Sequence, residues 1–189
     1  MKALRLLIFI LFLFAACKKE GEISPKPVQV GSTTPVPVTV VKLDTIPDKA
    51  AFKIQLVKDD VNNDETMFQF NHKAAFGYSG NDGDAPYFPG YGQESLASVT
   101  SDGRDLVINV LPYTSGMSID LDMNAKASGP LSFKLSYQNK IPSSIHIWLK
   151  DTYLKDSVDV RTANYNFKVD KADANSFGNK RFKIILRQQ

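Results

Sequence analysis

The chain has 189 residues, with 23 Lys and Arg against 20 Asp and Glu, for a formal net charge of +3. Two of those cations, Lys2 and Arg5, belong to an N-terminal apolar segment. The 173 residues that follow residue 16 carry 21 positive and 20 negative side chains, which gives no ground for a nucleic-acid partner. With 43% hydrophobic residues, 12 Phe and 7 Tyr, the chain is too apolar for general disorder and long enough for one domain with its own core.

Leu6 to Phe14 is an unbroken apolar run of nine residues, preceded by Lys2 and Arg5 and followed by Ala15, Ala16 and Cys17. A cationic head, an apolar centre and a small-residue exit describe a secretory signal peptide. A membrane span needs about 20 apolar residues, twice this length. Phe14-Ala15-Ala16-Cys17 resembles the lipobox of bacterial lipoproteins, with Phe14 where that family usually has Leu. The resemblance implies that residues 1–16 are removed and that Cys17 is lipidated. Cys17 is also the only cysteine, so no internal disulfide can form. Two or more acyl chains give lasting attachment, at about 0.8 kcal/mol per buried CH₂. The expected partner at this end is therefore a membrane, reached by a lipid anchor.

From Lys18 to Asp48 the composition shifts to KKEGEISPKPVQVGSTTPVPVTVVKLDTIPD, with five of the ten prolines. Proline removes backbone donors and fixes φ, so residues 17–48 read as an extended or disordered linker. At about 3.1 Å per residue it would reach on the order of 90 Å. Val36 to Leu43 is a candidate edge strand.

Residues 49–189 then alternate with period two. One face of each run holds Phe52, Ile54 and Leu56; Thr66, Phe68 and Phe70; Leu106, Ile108 and Val110; and Met117, Ile119, Leu121 and Met123. Next come Leu131, Phe133, Leu135 and Tyr137, then Ile145, Ile147 and Leu149, then Tyr165, Phe167 and Val169, and last Phe182, Ile184 and Leu186. Alternation of this kind buries one face and wets the other. Asn- and Gly-rich turns separate the runs, as at Asn62-Asn63-Asp64 and Asp102-Gly103. The expected fold is all-β, an immunoglobulin-like antiparallel β-sandwich of about 8–9 strands.

The closing segment carries a further resemblance. Trp148-Leu149-Lys150-Asp151, Tyr165-Asn166-Phe167 and Arg181-Phe182-Lys183-Ile184 are similar to the last hairpins of a sandwich domain of Bacteroidota cell-surface proteins, one that often precedes a type IX secretion sorting tail. Asp64-Glu65-Thr66 with Phe68, and the Asp105-to-Pro112 strand, resemble the same domain's first half. No such tail follows here, and Cys17 takes its place as the means of retention. The resemblance implies an extracellular, non-catalytic module and carries no site residues across. Lipoproteins of that phylum that reach the outside tend to carry Lys and acidic residues after the Cys, and Lys19-Glu20-Gly21-Glu22 matches in part. The expected location is the outer membrane, on the cell surface, with a periplasm-facing orientation as the alternative.

Chemistry has one obvious place to sit, the long insertion from His72 to Gln93 with Phe76, Tyr78, Tyr87, Phe88 and Tyr91. Long loops in compact domains are often functional, and flat rings suit sugars or a protein partner. The competing reading folds these rings back as a satellite core. Trp148 and His146 should point outward from one strand. Tyr78, Tyr87, Tyr91 and Trp148 are thus the candidate ligand contacts. Asn81, Asp82 and Asp84 offer oxygens of the kind Ca²⁺ takes, without the spaced ligands or distal Glu of an EF-hand loop, so a plain Asx/Gly turn is the preferred reading. The two histidines, His72 and His146, lie in no nucleophile motif and no zinc-ligand spacing. Asp120 and Asp122 alternate with core positions and read as a wet face. The expectation is a cell-surface lipoprotein acting as a non-catalytic structural or protein-interaction module, without enzyme activity, cofactor or metal. The alternative is a glycan-binding lipoprotein using the 72–93 loop.

Overall fold

The computed structural model describes residues 45–90 and 92–188. The signal segment, Cys17, the linker through residue 44 with its candidate edge strand at Val36–Leu43, and Tyr91 lie outside the described residues. The last residues assigned to the linker already belong to the domain. Ile46 is buried in the core, and Asp48 accepts the His72 backbone N–H at 2.9 Å.

All eight predicted strands form: β1 (Ala51–Val57), β2 (Asn63–Phe70), β5 (Asp105–Leu111), β6 (Ser118–Ala125), β7 (Gly129–Asn139), β8 (Ile145–Asp151), β10 (Tyr165–Val169) and β11 (Phe182–Gln188). Three more join them: β3 (Ala85–Pro86), β4 (Glu94–Val99) and β9 (Asp156–Asp159). The fold is all-β. Where two separate sheets were expected, hydrogen bonding runs through a single sheet in the order β10-β7-β1-β2-β5-β4-β6-β11-β8-β9, with β3 attached to β5. That sheet curls nearly into a barrel. Most pairs are antiparallel, but β2 and β5 run parallel. A parallel pair needs a long crossover, and residues 71–104 supply it, including the aromatic insertion.

The inward faces interlock as the alternation requires, except on β5, where Leu111 rather than Leu106, Ile108 or Val110 joins the core cluster. Phe52 and Phe68 are cross-strand partners stacked at 4.7 Å. Phe133 of β7 and Phe167 of β10 stack at 5.1 Å, and Phe182 of β11 meets both edge-on, at 4.9 and 4.8 Å. Truncating one of these rings to Ala would cost about 3–5 kcal/mol. Tyr137 departs from its expected place, being 44% exposed. A bulge interrupts the β1–β7 register between Lys53 and Ile54, and β10 covers β7 only from Gly129 to Phe133. Tyr137 therefore lies past the reach of the core.

Among the described residues β10 pairs only with β7 and β9 only with β8, so side chains close the seam between the two ends of the sheet. Tyr165 donates its hydroxyl to Asp151 Oδ2 at 3.2 Å. Arg181 reaches across to the Lys168 carbonyl at 2.9 Å and to the Ser176 carbonyl.

Candidate functional site

The 72–93 insertion is a frame built by its own carboxylates. Asp84 is buried and accepts the Val110 N–H with Oδ1 and the Ser79 N–H with Oδ2, both at 2.7 Å. Asp82 Oδ2 accepts the Ala75 N–H at 3.1 Å. Gly83 closes the insertion's 3-10 turn at Gly80–Asp82 with φ +104°, a backbone region glycine enters without strain. Asp82 Oδ2 and both oxygens of Asp84 thus meet backbone amides of the loop and of β5, Asn81 is exposed, and among the described residues no three His, Cys, Asp or Glu side chains gather to hold a metal. The turn at Gly80–Asp82 is a backbone 3-10 turn capped by Gly83, braced by carboxylates that accept amides five or more residues away.

Tyr78 belongs to that frame. Its N–H donates to Asp102 Oδ1 at 3.0 Å, and the Arg104 guanidinium lies 4.5 Å above its ring. Tyr87 is fixed at both ends. Its N–H bonds the Asp105 carbonyl at 2.9 Å, and its hydroxyl donates to Asp64 Oδ2 at 2.8 Å. Burial, and then Asp64, push the Tyr87 phenol up to about 12.

Asp64 holds a second group for a topological reason. β4 meets β5 only at Ser98 and Val99, so the Leu96 N–H finds no strand on that side. Asp64 Oδ2 accepts it at 2.8 Å, which satisfies a backbone donor that would otherwise be costly. Higher in the same gap, Thr66 Oγ1 donates to the Leu106 carbonyl at 3.1 Å.

Beside this stitch lies a pocket of about 410 Å³, walled by Asp64, Pro86, Tyr87, Phe88, Glu94 and Val107. Phe88 is 80% exposed. Glu94 is the opposite, with a side chain 2% exposed; Oε1 pairs with Lys58 Nζ at 3.0 Å, and Oε2 is buried with no hydrogen-bond partner among the described residues. Neither Asp64 nor Glu94 stood among the sequence candidates. The signal that would have found Glu94 is its spacing in ESLASV, two residues before Leu96 on the inward face.

Trp148 does point outward, half-buried, as the alternation predicted. Its ring is 6.3 Å from that of His146, whose Nδ1 lies 2.5 Å from Oδ2 of the buried Asp159. β8 is four strands beyond β5 in the sheet order, so Trp148 does not share the pocket of Tyr87. Asp120 behaves as a wet-face residue, paired with Lys183 across β6 and β11 at 2.5 Å. The seam carries a groove of about 680 Å³, lined by Pro130, Phe167, Arg181, Tyr153 and Leu154, the last two 42% and 52% exposed.

The chain matches no family model, no curated protein and no solved structure.

Proposed function

We propose that the chain is a lipid-anchored cell-surface lipoprotein of an outer membrane, and that its β-domain is a non-catalytic structural or protein-interaction module. One observation carries the anchoring: the only cysteine, Cys17, directly follows the apolar run and its two alanines. The module reading draws support from Tyr153 and Leu154, large apolar side chains left exposed above the seam groove. The likeness to the Bacteroidota surface domain belongs to this proposal, and so does an immunoglobulin-like architecture. The support for the latter is that Phe133 and Phe182, on strands six apart in the sheet order, meet across the core as two layers would.

Protease shaving of intact cells, with blotting for the domain, tests the reading. Loss of the domain's signal without lysis is the expected result. Full protection, with a control in which the released domain is cut, would overturn surface exposure and leave a tethered periplasm-facing part.

A second reading, glycan binding by the 72–93 loop, is favoured by one observation: the loop fixes Tyr87 inward while holding Phe88 80% exposed at the rim of a pocket.

A further inference from the structure

The geometry points to a specific subsite behind that second reading: the pocket between Phe88 and Glu94 binds a neutral hexopyranose unit of an oligosaccharide. Glu94 Oε2 accepts one of its hydroxyls, and Phe88 stacks on the apolar face of the ring. The inference rests on glycan binding by the loop and adds the residues and the sugar class.

Three features converge. Buried carboxylate oxygens in folded proteins have donors, because an unmet one keeps the full cost of leaving water. Among the described residues Glu94 Oε2 has none, although the side chain is 2% exposed and lines the pocket. Lys58 engages only the other oxygen. A ligand hydroxyl is the donor this atom lacks.

Phe88 supplies the second feature. It sits between Pro86 and the flexible-backbone residues Gly90 and Gly92, and it stays in solvent although Tyr87 next to it is anchored. An aromatic ring held out at the rim of a pocket offers area at low entropic cost. The volume of about 410 Å³ falls within the range of about 300–1,000 Å³ of small-ligand sites.

The third feature is charge. The charged side chains in the wall are the carboxylates of Asp64 and Glu94, and the cation paired there, Lys58, is already engaged. Acceptors beside an apolar ring suit a molecule with hydroxyl donors and one C–H face. Two carboxylates repel a uronate or sulfated sugar.

The test uses the full lipidated protein in a non-glycosidic detergent and titrates it calorimetrically with cellohexaose, maltohexaose, mannohexaose and, as the anionic comparison, galacturonohexaose. At least one neutral hexaose should bind, with galacturonohexaose weaker. Glu94→Gln and Phe88→Ala should each weaken that binding about tenfold or more. Phe88 is exposed, so its variant keeps the wild-type unfolding midpoint and decides the matter even where Glu94→Gln folds poorly. A neutral hexaose bound equally by Phe88→Ala would overturn the subsite and leave glycan binding standing. Tighter binding of galacturonohexaose would overturn the neutral-sugar assignment. No binding of any hexaose would overturn the subsite and the glycan reading together.

Discussion

Arg181 grips Asp151 with two of its three nitrogens while both side chains are completely buried: Nη2 to Oδ2 is 2.8 Å and Nε to Oδ2 is 3.1 Å. The remaining nitrogen, Nη1, reaches the Lys168 carbonyl on β10. The guanidinium also lies 4.8 Å from the Phe167 ring centre and 4.6 Å from that of Phe182. Asp151 in turn accepts the Tyr153 and Leu154 N–H groups at 2.9 and 3.0 Å, shaping the turn between β8 and β9. The pair sits where the neighbouring strands β8 and β11 meet, and it bridges to β10, where no backbone ladder forms, through Arg181 Nη1 on the Lys168 carbonyl and the Tyr165 hydroxyl on Asp151.

Breaking the pair from one side should be costly. Asp151→Leu leaves a guanidinium buried without its counter-charge, a change worth about 3–5 kcal/mol. Replacing both partners, Asp151→Leu with Arg181→Met, should cost less than the sum of the single changes, since no uncompensated charge remains. Urea unfolding of the four proteins measures this cycle. A single-variant loss below about 1 kcal/mol would show that the seam does not depend on the pair.

Two phenols make stability fall at alkaline pH. The Tyr87 phenol is pushed up to about 12, chiefly by burial and then by Asp64, and the Tyr165 phenol is raised by burial and by Asp151. An unfolded phenol titrates near 10, so the folded state holds these protons longer. Their contribution is complete below about pH 10 and is lost as pH climbs towards the folded values. The urea midpoint should drop over that window, and Tyr87→Phe should flatten the drop. A midpoint independent of pH there would refute the assignment.

The sequence made the scaffold legible where alternation was clean. Runs such as AFKIQLV and YNFKV show it because every second residue is large and apolar. β4 was hidden because its inward positions are Glu94, Leu96 and Ser98, and a charge or hydroxyl reads as a wet face unless its partner is known. β3 and β9 are too short, at two and four residues, to show a period. The curl into one sheet depends on a parallel β2–β5 pairing and a side-chain seam, both joining residues far apart in the chain, which periodicity does not encode. At the candidate site, the aromatic insertion was visible as a loop of rings. Which ring faces solvent was not, because Tyr87 and Phe88 differ by one position and the contact of the Tyr87 hydroxyl with the Asp64 carboxylate decides between them.

Acid should loosen the insertion from the opposite side. Asp102 is held below the ordinary carboxylate range, first by the Thr100 hydroxyl at 2.6 Å and then by the Tyr78 N–H. A lowered folded pKa contributes stability above the unfolded value of about 3.9 that is lost as pH falls through the folded one. The free energy of unfolding should therefore decline below about pH 4, less steeply in Asp102→Asn. An identical slope in the variant would remove Asp102 from the acid response.

Asp64 and Phe88 separate framework from contact within one pocket. Asp64→Ala strands the Leu96 N–H and the Tyr87 hydroxyl together, and an unmet buried donor costs about 1–3 kcal/mol. Phe88→Ala removes a ring that is 80% exposed and should change stability by no more than about 0.5 kcal/mol. Equilibrium unfolding of both variants checks the contrast. A large loss from Phe88→Ala would mean that the ring packs as part of a satellite core, and its exposure at the rim would then have no bearing on a ligand. A negligible loss from Asp64→Ala would mean that water takes over the Leu96 amide, leaving the gap between β2 and β4 open to solvent.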